Sequence, residues 1–542
     1  MDRPFPASLL ITLSAACLSG FSQPAAPVAG APNSGKPMLE LTIIETDSRQ
    51  RIPARVRVRD ESGNDHVPAG AVEVPIGKDH WFVADGVVKL QVPAGRMTLR
   101  VERGPEYRPL LETLNVAAKG VTRHGVSLKR WINLRKLGYA SGENHLHVPP
   151  EELGAMLTAE DLNFGNSLSW WNGPQFDIGA GGHIRTLPFG KHGTPTTVFD
   201  AEVERAWGAV YLIGLKSPLS LEPDGKRSNL PFVRLAREQG ALICYQGGWS
   251  REVLLDALLG CVDVVNICNN NFHRHKFQPR RQYSNLLNIA GFPEYPDTPE
   301  GMMQMNTDTY YRLLNCGLRL ASGAESATGA KTTPVGYNRC YARLGSRDTI
   351  TDFLESWRKG RNFVTDGPMI FLTVNKAHSP GDVVALPQGG GKLRATVRVL
   401  SDQPLRSVEI VVNGTVASHT SLPPVGFEAT LNVDLDVQKG CWIAARATAE
   451  DLLLSDEEMA RYDNAGSKSR PENPCRLLFG HTSPIYVTVG GAGASVESSV
   501  REAFQMLDGF ERFAMATAAE QYRDELRNAL RLARVKLKAL SE

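Results

Sequence analysis

The sequence predicts a multidomain protein of α/β-plus-β class: a (β/α) barrel flanked by N- and C-terminal β-sandwiches, with a helical hairpin at the C-terminus. Three observations predict it. The chain has 542 residues and 42% hydrophobic content, too much for a single core and enough for three or four domains. Period-2 runs dominate residues 38–130 and 369–490, whereas 131–368 alternates strand-like and helix-like segments. Residues 491–542 carry a helical apolar period with no strand signal.

Residues 1–37 read as an export signal and linker. Arg3 supplies a positive start, 7–20 an apolar run, and 22–37 a proline- and small-residue-rich stretch where cleavage would fall. The mature chain is therefore expected in the periplasm or outside the cell, and Cys17 after Ser14-Ala15-Ala16 leaves a lipoprotein alternative. No later apolar run is long enough to span a membrane. Cys244, Cys261, Cys268, Cys316, Cys340, Cys441 and Cys475 have no C-x-x-C spacing and form neither a zinc ribbon nor an obvious disulfide framework. A formal net charge of +2 without a basic run argues against a nucleic-acid binder, so a small-molecule substrate or ligand is the expected partner.

In 38–130, strand patterns at 39–44, 54–58, 88–92 and 97–101 are separated by turns at Ser62-Gly63-Asn64 and Pro93-Ala94-Gly95, which gives a small β-sandwich. His66, His80 and His124 have no mutual spacing there and read as structural. The middle of the chain then alternates. Helical patterns at 153–162, 230–239, 250–259, 307–314 and 349–359 interleave with strand patterns at 168–171, 207–215, 241–245, 262–267, 318–320 and 362–364. Such β-then-α units with right-handed crossovers build a parallel sheet, and six or seven of them can close a barrel. Strands at 395–400, 408–414, 429–433, 442–447 and 485–489 make the second sandwich, and helices at 498–513 and 518–540 the terminal hairpin.

The chemistry concentrates at Ser141-Gly142-Glu143-Asn144-His145-Leu146-His147. On a strand, alternation puts His145 and His147 on one face and Leu146 on the other, where two imidazoles can share a metal ion. Pro149-Pro150 followed by Glu151-Glu152 starts a helix, so the histidines sit at the carboxyl end of a strand, the catalytic face of α/β barrels. Glu325 or Asp161 would complete a two-histidine, one-carboxylate set with open positions. His273 and His275 form a second H-x-H on the same rim, and Arg274, Arg280 or Arg281 would neutralise a substrate oxyanion. Trp170 and Trp171 offer aromatic surface for a substrate at the barrel mouth. The triple glycine at 389–391 precedes a strand and is read as a hairpin, and the absence of G-x-S-x-G leaves Ser-His-Asp catalysis unsupported.

On these residues, with Asn269-Asn270-Asn271-Phe272-His273-Arg274, Pro334-Val335-Gly336-Tyr337-Asn338-Arg339 and the stretch 360–368, the chain resembles exported CehA/McbA-type metallohydrolases of the PHP (polymerase and histidinol phosphatase) superfamily. The resemblance implies a distorted (β/α)7 barrel whose metal cluster activates water for ester or phosphoester hydrolysis. It also implies further histidines after Asp161, near Tyr245-Gln246 and beside Glu325, where this sequence has none. A reduced site is therefore expected: one divalent ion, zinc or manganese, on His145, His147, Glu325 and His273, with Asp161 and Arg274 in catalytic roles and Trp170, Trp171 and His275 against substrate. The alternative is an inactive protein of the same family that binds a ligand or partner in the cleft.

Overall fold

The computed structural model describes residues 35–220, 224–247, 250–273, 276–277, 295–296, 298–421, 426–453 and 475–541, the side chains of 272–277 excepted. The expected export segment and Cys17 lie outside them. The chain is a mixed α/β protein of several β-sheets with two C-terminal helices. No helix among the described residues is long and apolar enough to cross a membrane.

The N-terminal region has a three-stranded sheet around Met38–Glu45 facing a five-stranded sheet in which Pro53–Asp60 is central. In Pro53–Asp60 the alternation sends Ala54, Val56 and Val58 inward to Leu39, Leu41 and Leu99. The other face carries Arg55, Arg57 and Arg59, yet these are buried too. They are covered because this face docks on the helix Pro150–Ala159: Arg55 bridges Glu102 and Glu160 at 2.6 Å each and lies over Trp81. Val74, Ile76 and Trp81 pack with Leu146, Leu153 and Leu157, so the sandwich buttresses the segment that carries the histidines.

The middle region departs from an all-parallel barrel. Its seven-stranded sheet runs Gly165–Trp171, His192–Arg205, Gly208–Ile213, Leu242–Gln246, Val264–Cys268, Ala321–Ala324, with Ile184–Phe189 paired to His192–Arg205. The ladders of Gly208–Ile213 with both its neighbours are antiparallel. The expected parallel β-α-β units are present where the helices Val253–Leu258 and Pro299–Asn315 link the last three strands. The strands Tyr139–Gly142, Arg339–Arg343 and Asn362–Thr365 belong instead to a nine-stranded sheet with Leu477–Thr482, Cys441–Glu450 and Ile485–Val489. Strands on both sides of the boundary expected at 368 thus share one sheet.

A three-stranded sheet, Met369–Val374, Gly391–Leu400 and Glu428–Val437, packs Leu372 and Val397 against Ile410 and Ile443 of that larger sheet. The helices Glu497–Thr517 and Glu520–Ser541 break at Ala518, which is extended, and pack on the body: Phe510 and Phe513 lie 6.0 and 5.1 Å from the Trp207 ring. Beyond residue 37, the cysteines are free and buried.

Candidate metal centre

His145 and His147 follow the strand Tyr139–Gly142 at its carboxyl end. Leu146 turns into the apolar cluster with Val148 and Leu153, while the two imidazoles share the opposite side, ring centroids 4.9 Å apart. The segment is pinned on both flanks: His147 N–H donates to the Thr328 carbonyl at 2.8 Å, and Leu168 N–H to the Leu146 carbonyl at 2.9 Å. Glu143 anchors its start, accepting from the Ser326 N–H and hydroxyl at 2.7 Å each and from the Gly336 N–H. Burial pushes its pKa up to about 7 against those hydrogen bonds.

The third donor, Glu202, comes from the long strand His192–Arg205. Glu202 is paired with Trp171 on one side and Tyr211 on the other, so the three side chains share a row that faces the histidines. Nε2 of His145 lies 2.9 Å from Nε2 of His147, and Glu202 Oε2 lies 2.8 Å from the latter and 3.4 Å from the former. A triangle of these sides has a circumscribed radius of about 1.8 Å, so one ion with bonds of about 2.0–2.1 Å reaches all three corners.

The protons show what the triangle fits. Glu325 Oε2 lies 3.2 Å from His145 Nδ1, and because an ionised carboxylate only accepts, Nδ1 donates and the neutral ring turns a lone pair at Nε2 into the triangle. Gln175 meets Nδ1 of His147 with both ends of its amide, Nε2 at 3.0 Å and Oε1 at 3.3 Å, and the same Nε2 donates to the Leu168 carbonyl at 2.8 Å. Among the described residues, Glu202 Oε2 meets no partner at hydrogen-bond geometry. Two imidazole nitrogens and a carboxylate oxygen converge in a buried place, an arrangement that could hold a metal ion or a proton shared among them. Without a metal, burial opposes charge on His145, but Glu202 and Glu325 outweigh it and raise its pKa. Burial likewise opposes charge on Glu202, and the two imidazoles hold it below the usual carboxylate range.

Glu325 is itself held. Asn266 Nδ2 donates to its Oε2 at 2.9 Å, and Asn266 and Asn144 exchange amide hydrogen bonds at 2.9 and 3.0 Å. The Tyr211 ring lies 4.2 Å from that of His145, and burial together with the nearby carboxylates of Glu325 and Glu202 keeps its phenol neutral. The Trp171 ring lies 4.6 Å from that of His147, 38% exposed, with Nε1 donating to Glu204 at 3.2 Å.

Among the expected ligands, His145 and His147 come together. Glu325 joins them differently: it bonds His145 Nδ1 behind the ring rather than contributing an oxygen to the triangle, where Glu202 stands. Asp161 is placed elsewhere, its carboxylate gripped by Arg103 and Arg130 at the interface with the N-terminal sandwich. Trp171 borders the site, whereas Trp170 turns into the core against Phe232. His273 pairs through its backbone with Lys276; its side chain, and Arg274, His275, Arg280 and Arg281 entirely, lie outside the described residues. Glu202, Gln175, Asn266 and Tyr211 were not anticipated. A signal for Glu202 existed, since Thr196, Thr197, Val198, Phe199 and Val203 favour a strand, but Pro195, Asp200 and Glu202 itself interrupt it.

No protein-family model matches the chain, and no curated protein matches it. Among solved structures, that of the β-glucuronidase of Parabacteroides merdae and that of the same enzyme with glycerol in its active site overlap 81% of this chain at 12% identity, with TM-scores of 0.15 and 0.16. The chain spans 60% of the length of those proteins. Likeness at that level carries no argument about fold or activity.

Proposed function

We propose that this chain is an exported, metal-dependent hydrolase that cleaves an ester or phosphoester, built on a distorted (β/α)7 barrel of the PHP type, with one divalent ion, zinc or manganese, on His145, His147 and Glu202. The observation that carries it is the convergence of two imidazole nitrogens and one carboxylate oxygen, 2.8–3.4 Å apart, with Nδ1 of His145 already bonded to Glu325. Bound there, the ion supplies Lewis acidity and lowers the pKa of a bound water towards about 7. Glu325 fixes the tautomer and orientation of His145, and Gln175 holds the His147 ring at its Nδ1 edge. Tyr211, held as a neutral phenol, is a hydrogen-bond donor beside His145, and Trp171 gives an aromatic face at the exposed rim. Arg274 is assigned the substrate oxyanion.

The test is turnover of p-nitrophenyl acetate and bis(p-nitrophenyl) phosphate by the full chain. Hydrolysis of one of them, abolished by chelation, restored by added zinc or manganese and lost in the His145→Ala/His147→Ala protein, is expected. Turnover unaffected by that double substitution would place the activity elsewhere. The second reading, a family member that binds a ligand without chemistry, is favoured by the burial of all three donors to 5% exposure or less; bound metal with no turnover of any ester would select it.

A further inference from the structure

The strands Tyr139–Gly142, Arg339–Arg343 and Asn362–Thr365 lie side by side in the nine-stranded sheet, and the register sets Tyr139 opposite Arg343. Arg361 stands on the other side of Arg343, its carbonyl accepting the Arg343 N–H at 2.8 Å. One row thus carries two arginines on neighbouring strands, and like charges placed opposite each other repel unless an anion covers them. Both arginines are exposed, and among the described residues neither forms an ion pair with a carboxylate. We propose that this pair binds a phosphate group, carried by a small soluble molecule or by a lipid headgroup.

Both side chains border a shallow pocket of about 10 Å³ between this sheet and the three-stranded one. Tyr139 and Phe363 from the larger sheet and Ile370 and Leu372 from the smaller make its apolar wall, and no carboxylate lines it. Space of that size takes roughly one water-sized atom, so a single oxygen of the group seats there and the others meet the arginine N–H donors outside. The arginines are held in place. Arg343 Nη1 donates to the Ser379 hydroxyl at 3.2 Å, and the Arg361 stem lies close over Gly381, where a Cβ would come within 3.0 Å of Arg361 Cγ. Asp382 stands behind Ser379, accepting its N–H at 2.9 Å and its hydroxyl at 3.2 Å, and does not border the pocket. The planar guanidinium fork offers paired N–H donors to phosphate oxygens, and two forks match the charge of a dianion. The pair sits at the start of the strand Tyr139–Gly142, whereas His145 and His147 follow its end, so the inference does not rest on the metal centre.

Isothermal titration of inorganic phosphate into the full chain at fixed ionic strength, with chloride as the reference, tests it. Binding with a Kd on the order of 1 mM is expected. In the Arg343→Gln/Arg361→Gln protein, both changes being on the surface, that binding should weaken by about tenfold or more while metal content stays unchanged. The His145→Ala/His147→Ala protein should keep it, which separates this site from the metal centre; if that protein fails to fold, the arginine variant alone decides. Sedimentation with phosphatidylcholine vesicles containing phosphatidic acid, lost in the arginine variant, assigns a lipid headgroup, and phosphate binding without sedimentation assigns a soluble ligand. No phosphate binding beyond chloride, or binding undiminished in the arginine variant, would overturn the proposal.

Discussion

The Nδ1 atoms of His145 and His147 govern what their Nε2 atoms can do, and neither Nδ1 partner contributes to the donor triangle. Glu325 owes its position to Asn266, which is clasped in turn by Asn144, the residue directly before His145. Replacing Asn266 with leucine removes the donor to Glu325 and leaves Asn144 without its amide partner. Metal affinity is expected to fall about 10–100-fold, measured by competition with a chromophoric chelator; unchanged affinity would show that Glu325 does not orient His145. At this scale the sequence was half legible. The H-x-H pair could be read because one intervening residue on an extended segment has only one geometric meaning. Glu202 could not, since an acid in a buried strand position looks like a strand breaker until the imidazoles it faces, more than fifty residues earlier in the chain, are known.

Helices were more legible than strands because their ends are marked by local residues. Thr349 caps the helix expected at 349–359 through its hydroxyl, whereas the helix expected at 307–314 begins earlier, with Thr298 as its cap and Pro299 in its first turn. The helix Leu230–Glu238 has a cap drawn from elsewhere: Glu252, fully buried, accepts from the Asn229 and Leu230 N–H groups at 2.7 and 3.3 Å. Burial pushes its pKa from 4.5 up to about 7, against those hydrogen bonds and Arg205. A folded-state pKa above the unfolded one means that the folded chain holds the proton more tightly between them. The stabilisation from Glu252 is thus full below about pH 4.5 and lost as pH rises to about 7. Glu252→Gln, measured by urea unfolding across pH 4.5–7, should flatten the stability profile relative to wild type by on the order of 1–3 kcal/mol. Parallel profiles for the two proteins would contradict it. The hairpin strands Ile184–Phe189 and His192–Arg205 escaped notice for a related reason, their glycines, prolines and acids masking a pattern that tertiary pairing enforces.

Over the whole molecule, local periodicity marked many of the elements and the succession of β-rich, mixed and helical regions, but not how the strands share sheets. Strand direction depends on which neighbours pair, and nothing in Gly208–Ile213 announces that both its ladders are antiparallel. The same holds at residue 368, where Asn362–Thr365 pairs with Leu477–Thr482 across the expected boundary. A fragment of residues 38–368 removes that partner and exposes Phe363 and Val364 at a new sheet edge, so it should be insoluble or unfold without cooperativity. A soluble fragment with a sharp thermal transition would show that the two parts fold separately. The central claim, a single ion on three named donors, is tested most directly by metal content, measured by mass spectrometry on the purified full chain and on Glu202→Gln and Asp161→Ala proteins. One zinc or manganese per chain, retained in Asp161→Ala and lost in Glu202→Gln, is the expected result. Two or more ions per chain, or one ion that survives Glu202→Gln and leaves with Asp161→Ala, would contradict it.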